Sequence, residues 1–197
     1  MRRFFWAGIL AGLSALAVVP AMAGVKVSES QKTYPVSGSS GIALLQAMDK
    51  SGPKHGFLTR AIAQTSYSVS WTIEWGETRT ACRVKRADGK LDITYTYPRV
   101  SNAITPQLKK RWNSFLSGVR RHELQHGEIA RQMARAAEKA VTGVTIQNDP
   151  GCRKSRREVK RRMAEVYADY EARQIRFDSK EHKGGGKVED LIAALIR

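Results

Sequence analysis

The fold is decided by residues 105–143, which read TPQLKKRWNSFLSGVRRHELQHGEIARQMARAAEKAVTG. Apolar residues and two histidines recur along this stretch at steps of three or four, which is the period of one helical face. Thr105 followed by Pro106 is typical of a helix N-terminus, and Gly143 is typical of a helix end. The pattern predicts one helix over 106–141. Gly127 inside it indicates a bend or a close contact.

Strands precede this helix, and a second helix follows it. We predict a strand over 25–36, a short helix over 42–48 and a half-buried strand over 67–75, where every second residue is large and apolar. Ala-Asp-Gly-Lys at 87–90 predicts a hairpin turn between two further strands, and apolar spacing predicts a helix over about 155–175. The fold class is therefore α+β, a small antiparallel β-meander packed on two long helices.

The composition excludes a disordered or collagen-like chain. Of the 197 residues, 42% are hydrophobic and 26% are charged, which is enough to build a core. Thirty-four Lys and Arg against 18 Asp and Glu give a formal charge of +16, which favours an acidic partner. The densest basic run, 153–162, is interpreted either as a solvated helix face or as a contact with an anionic envelope surface. No aromatic residues interleave with it, so we expect no specific nucleic-acid binding.

The first 23 residues have the pattern of a secretory signal. Arg2 and Arg3 precede an apolar run over 4–19, and Ala21-Met22-Ala23 fits a cleavage site after Ala23. We therefore expect a secreted or periplasmic protein. Its domain would cover 24–183, followed over 184–197 by a Gly-rich hinge and a short amphipathic segment.

The two cysteines, Cys82 and Cys152, both lie in the predicted mature chain. Because an exported chain folds in an oxidising compartment, we expect them to form one disulfide. Two buried free thiols are the alternative interpretation.

The helix stripe contains His122-Glu123-Leu124-Gln125-His126, the H-E-x-x-H pattern. A spacing of four places both imidazoles on one helical face, where they can bind one zinc ion. Zinc lowers the pKa of bound water, and Glu123 would act as general base and then protonate a leaving amine. The alternative is that both histidines are hydrogen-bonded core residues.

A catalytic zinc site needs a third protein ligand. The sequence offers His55, His182 and three glutamates of the second helix, Glu158, Glu165 and Glu171. Spacing alone does not rank His182 above Glu165.

Three further residues have two possible interpretations each. Asp178 either orients a ligand imidazole or is a solvated loop residue. Tyr167 and Tyr170 either donate to an oxyanion or pack the second helix, and we favour packing.

From Tyr34 to His182 the chain resembles a bacterial family of predicted secreted zinc-dependent proteases. The features that carry the resemblance are Tyr34-Pro35-Val36-Ser37-Gly38, Gly52-Pro53, the strand over 65–75, Cys82, Tyr97-Pro98, Trp112, the motif at 122–126, Cys152, Phe177-Asp178 and His182. It implies a zincin-like fold, zinc as cofactor and His182 as third ligand. Here Phe177 replaces the family's tyrosine, and Lys183 replaces the glycine after the histidine.

Together these observations predict an exported zinc hydrolase, specifically a metallopeptidase acting on a peptide or protein substrate. The ligands would be His122, His126 and His182, and Glu123 would be the general base. The alternative is a basic, envelope-associated binding domain whose metal site is structural or does not turn over.

Overall fold

A computed structural model describes residues 24–55 and 59–197; the predicted signal over 1–23 lies outside these ranges. The strands are β1 Val25–Val36, β2 Lys54–His55, β3 Thr59–Arg60, β4 Gln64–Glu77, β5 Ala81–Val100 and β6 Thr145–Gln147. The helices are α1 Gly41–Ser51, α2 Pro106–Val141, α3 Arg153–Glu181 and α4 Lys187–Ile196, and a 3-10 turn over Pro150–Cys152 precedes α3. The α+β class is confirmed.

The main sheet is mixed, which corrects the predicted antiparallel meander. β5 lies between β1 and β4; it pairs with β4 antiparallel and with β1 parallel. The last residues of β1 and the first residues of β4 lie at the same end of the sheet, beside the end of β5. β5 runs antiparallel to β4 and therefore has the same direction as β1. The short β6 pairs antiparallel with the first residues of β5.

The predicted hairpin turn at 87–90 is wrong, because β5 runs unbroken through it. Gly89 pairs with Trp71 of β4 and Val25 of β1. A Cβ at position 89 would lie 2.8 Å from the Trp71 ring, so the glycine makes room for the indole rather than for a turn. Asp88 forms an ion pair with Arg86, with N and O atoms 2.8 Å apart.

α2 has the bounds that the sequence predicts. The Thr105 hydroxyl accepts from the N–H of Leu108 and caps the helix, and Pro106 occupies its first position. Gly127 is explained by close packing, because a Cβ there would collide with the Tyr95 hydroxyl of β5. α2 therefore lies directly against the sheet next to His126.

The core has two parts. The larger joins one face of the sheet to α1, α2 and α4, and its central members are Leu44, Leu91, Ile93, Phe115 and Leu195. The smaller lies near the start of β5 and contains Val84, Ala87, Val141, Val144 and Val159. The short amphipathic segment expected near the C-terminus forms the helix α4, and its Leu191 packs against Gly118 of α2.

The disulfide between Cys82 and Cys152 is confirmed; it joins β5 to the start of α3 across 70 residues. Such a bond is consistent with an extracytoplasmic location. Within 24–55 and 59–197, none of the helices combines the length and apolarity needed to cross a bilayer.

Candidate metal centre

The two motif histidines lie one helical turn apart on the buried side of α2. Their Nε2 atoms are 3.1 Å apart, and His122 is only 9% exposed. The helical spacing of four produces this convergence, as the sequence predicts.

The end of α3 packs against these imidazoles. The helix is longer than predicted and continues to Glu181, so Asp178 lies on its last turns rather than in a loop. One Asp178 oxygen, Oδ1, lies 3.0 Å from His126 Nε2 and 3.2 Å from His122 Nε2. This carboxylate therefore faces both motif histidines.

His182 completes the group from the C-cap of α3. Its backbone N–H donates to the Asp178 carbonyl, and its Nε2 lies 4.0 Å from Asp178 Oδ1. Donor atoms of His122, Asp178 and His182 all lie within 4.8 Å of one another, so these three form a candidate metal-binding group. The His182 side chain is 52% exposed, so the group is open to solvent on this side.

Gln174 fixes the orientation of His126. Its amide nitrogen donates to the His126 carbonyl at 3.1 Å, which turns its oxygen toward His126 Nδ1 at 2.5 Å. Nδ1 therefore carries a proton, and Nε2 of the neutral imidazole presents a lone pair to Asp178.

The donor atoms fit a bound cation. A lone pair on His126 Nε2 and a carboxylate oxygen at 3.0 Å repel unless a proton or a metal ion lies between them. The separations of 3.0 to 3.2 Å among His122, His126 and Asp178 approach the about 3.3 Å edge of a tetrahedral zinc site.

The same preference for positive charge appears in two pKa shifts. Burial opposes ionisation of Asp178, but hydrogen bonds with His122 and His126 outweigh it and hold the pKa of its carboxyl well below its usual range. Burial also lowers the pKa of His126, yet hydrogen bonds with Asp178 and Gln174 reverse the effect and raise it above its ordinary value.

Phe177 forms a wall of the site. Its ring stacks on His122 with centroids 4.8 Å apart and meets His126 edge-on at 5.0 Å. These contacts restrict the rotation of both imidazoles.

Glu123 is buried beside the histidines and is held from the edge strand β4. Only 6% of it is exposed. The Thr65 hydroxyl lies 2.7 Å from Glu123 Oε2 and 2.9 Å from its backbone carbonyl. Burial first, and then the Glu123 carboxylate, raise the pKa of Tyr97 to about 12, so the neighbouring phenol stays neutral.

Residues 31–186 match a family described as bacterial protein of unknown function, DUF922. The chain belongs to the DUF922 family. No curated protein and no solved structure matches it. The description of this family names no protease activity.

The other ligand candidates of this DUF922 chain lie elsewhere. Glu165 is 63% exposed and pairs with Arg161, and Glu158 pairs with Arg161 and Arg162. Glu171 is exposed one turn before Gln174. His55 lies in β2, and its side chain is outside what the structure describes.

The two tyrosines of α3 have packing roles. The Tyr167 hydroxyl accepts from the Trp71 indole N–H at 2.6 Å, which ties α3 to β4. Arg173 covers the Tyr170 ring at 4.3 Å. Neither contact involves the histidine group, in agreement with the packing interpretation.

Gln174 and Thr65 were not predicted as site residues. One signal was available for Gln174, because Gln174, Asp178 and His182 recur at steps of four and so share one face of a helix. Thr65 had none, since its contact with Glu123 spans 58 residues.

Proposed function

We propose that this chain is an exported metal-dependent hydrolase that cleaves peptide bonds with zinc. The observation that supports the proposal is the convergence of His122, His126 and His182 on Asp178, with the buried carboxylate of Glu123 on the same helix.

Zinc is the metal we favour, because imidazole nitrogens and one carboxylate oxygen are ligands that it accepts in proteins. His122, His126 and His182 would hold the ion, and Asp178 would bind it or orient the histidines. When bound, zinc would supply Lewis acidity and lower the pKa of water at the site.

Glu123 would be the general base. Its carboxylate would accept a proton from the attacking water and return it to the leaving amine. The hydrogen bond from Thr65 to Oε2 restricts the rotation of this carboxylate, so it would stay oriented without a basic partner.

A cleft of 420 Å³ lies beside the candidate centre and would receive part of the substrate. The cleft lies between β4 and α3, with α2 beside it, and its lining includes Tyr67, Val69, Met133, Tyr167 and Glu171. It adjoins the metal-binding group through Gln174, which contacts both Tyr67 and His126.

The disulfide and the predicted signal both support action outside the cytoplasm, in the periplasm or the surroundings of the cell. A substrate would therefore be a peptide or protein of that compartment.

The second candidate function is a metal-binding domain without turnover. It is favoured by one observation, that four donors converge, because four protein ligands close a tetrahedral zinc site and leave no position for water. Under this interpretation Glu123 has only a structural role.

The test is Glu123→Gln, which keeps the size of the side chain and removes its ability to accept a proton. We expect the variant to keep its zinc and its fold but to lose peptide cleavage by at least about 100-fold. Zinc is measured by elemental analysis and cleavage by digestion of a broad peptide library.

Glu138→Gln is the matched control, since it makes the same change on the same helix, far from the histidines. It should cleave like the parent protein. If the zinc-loaded parent cleaves nothing, the domain without turnover is the better account. If Glu123→Gln cleaves as well as the parent, Glu123 is not the general base.

A further inference from the structure

The first three turns of α3 carry an exposed basic surface at the end of the helix remote from the metal centre. Glu158, the acid among these residues, is already paired with Arg161 and Arg162. The remaining cations define what we call the basic end: Arg153, Lys154, Arg156, Arg157 and Lys160, all exposed.

Within the described part of the chain, none of these cations forms an ion pair with an acidic side chain, although the charge of Lys154 helps to lower the pKa of the nearby Asp149 carboxyl. Arg153, Arg157 and Lys160 have no acidic partner there, and Lys154 donates to the backbone carbonyl of Asn148. The basic end therefore keeps its full charge at the surface.

The fold itself disfavours these charges. The N-terminus of a helix carries a partial positive charge, so cations in its first turn are destabilising, and α3 has no acid in that turn. Asp149 already accepts from the N–H groups of Lys154 and Ser155, so the helix end needs no further anion. The cations have no stabilising role within the helix.

Two elements of the sheet lie beside the basic end. The Arg156 guanidinium lies over the Trp75 ring at 4.8 Å, which covers the indole. The turn between β4 and β5 lies next to the start of α3, since Asn148 N–H donates to the Thr80 carbonyl at 2.5 Å, and this turn adds Arg79 to the same end.

We propose that the basic end binds the surface of an anionic phospholipid membrane. The disulfide is consistent with a compartment bounded by such membranes, and the covered Trp75 offers no free ring for stacking nucleic-acid bases. Each Lys or Arg near an anionic bilayer strengthens binding about five-fold. Bound in this way, the chain holds Asp178 about 30 Å along the α3 axis from Arg157.

The experiment uses residues 24–197, because both hydrophobic clusters and the disulfide lie within them. Omitting 1–23 also removes an apolar run that would bind lipid by itself. Cosedimentation is measured with vesicles of equal parts phosphatidylglycerol and phosphatidylcholine, and with phosphatidylcholine alone. We expect at least ten-fold tighter binding to the anionic vesicles, abolished by 0.5 M salt at about a 4 Å Debye length.

The decisive variant is Arg157→Glu with Lys160→Glu, which should weaken binding to the anionic vesicles at least ten-fold. Lys109→Glu with Lys110→Glu makes the same change of net charge at exposed positions of α2 and should weaken it less than three-fold. Circular dichroism and thiol titration check the fold, and Arg157→Gln with Lys160→Gln replaces the first pair if it fails to fold.

Three results would overturn the proposal. Equal losses in the two double variants would mean that only net charge matters. Equal binding to both kinds of vesicle would exclude an anionic lipid surface. Tighter binding to heparin than to the anionic vesicles, at equal concentrations of negative charge, would assign the basic end to a polysaccharide.

Discussion

The two ends of α3 carry charges that oppose the helix dipole, but only one end has its charges matched within the chain. Cations crowd the first turn, where anions are favoured, and Asp178 lies near the last turn, where cations are favoured. Asp178 is compensated by the imidazoles of α2, whereas Arg157 and Lys160 have no acidic partner in the described chain.

The difference separates charges that stabilise the helix from charges that serve something else. In the middle of α3, Asp169 pairs with Arg173 and Glu165 with Arg161, each one turn away. Such pairs contribute a few tenths of a kcal/mol each. Asp178 instead points to another helix, so its position follows from the candidate site rather than from helix stability.

The largest expected effect is the loss of zinc affinity when a histidine at the C-terminal end of α3, or one facing it from α2, is removed. Because they remove donor atoms, His122→Ala and His182→Ala should each weaken zinc binding more than the about 10- to 100-fold that loss of an outer partner costs. Glu165→Ala, on the solvent side of the same helix, should leave the affinity unchanged. Competition with a chromophoric chelator measures all three, and a Glu165 variant that loses zinc while His182→Ala keeps it would reverse the assignment.

A smaller loss is expected at Gln174, which acts through His126. Gln174→Ala removes the acceptor for the Nδ1 proton of His126, so the imidazole can rotate. Zinc affinity should therefore fall about 10- to 100-fold. Gln174→Glu retains an acceptor and should restore most of it, which a purely structural role would not explain. Gln125→Ala, an exposed glutamine within the motif, is the control; an equal loss there would contradict the positioning role.

The smallest expected effect is on stability at acid pH, and it comes from Glu158, the paired acid next to the basic end. Hydrogen bonds from Arg161 and Arg162 lower the pKa of Glu158 from 4.5 to about 2. A carboxyl whose pKa is lower in the folded state adds stability above its unfolded pKa, and that stability is lost as the pH falls from about 4.5 towards 2. Glu158→Gln should therefore flatten the acid branch of the stability curve slightly, as followed by urea denaturation between pH 5 and 2.5. An unchanged curve would show that this pair contributes nothing.

Local signals in the sequence predict α2 well and the sheet less well. Thr105, Pro106 and Gly143 are markers that depend on their neighbours alone, so both ends of α2 agree with the structure. The pairing of β1 with β5 joins residues 64 apart, Val25 and Gly89, and no local pattern encodes it. The local Asp-Gly pair predicts a turn, whereas the role of Gly89, which is to make room for Trp71, depends on the neighbouring strand.

The candidate site divides in the same way. His122, Glu123 and His126 follow from helical spacing. The helix predicted over about 155–175 ends before Asp178, so the sequence leaves open whether Asp178 orients an imidazole or lies in a solvated loop. The residues after 175 are mostly polar and carry little apolar periodicity. The place of His182 near the motif depends on those added turns of α3.

The central position of β5 also constrains the order in which the chain can fold. β1 is complete long before β5 has been made, yet its only long partner is β5 in the described chain. β4 and β5 can pair early, since they are adjacent in sequence, while β1 and the Cys82–Cys152 bond must close loops of more than 60 residues. During synthesis the backbone groups of β1 therefore stay unpaired until β5 has been made. The polar composition of β1, with Lys26, Glu29 and Lys32 among its exposed residues, disfavours pairing with other chains.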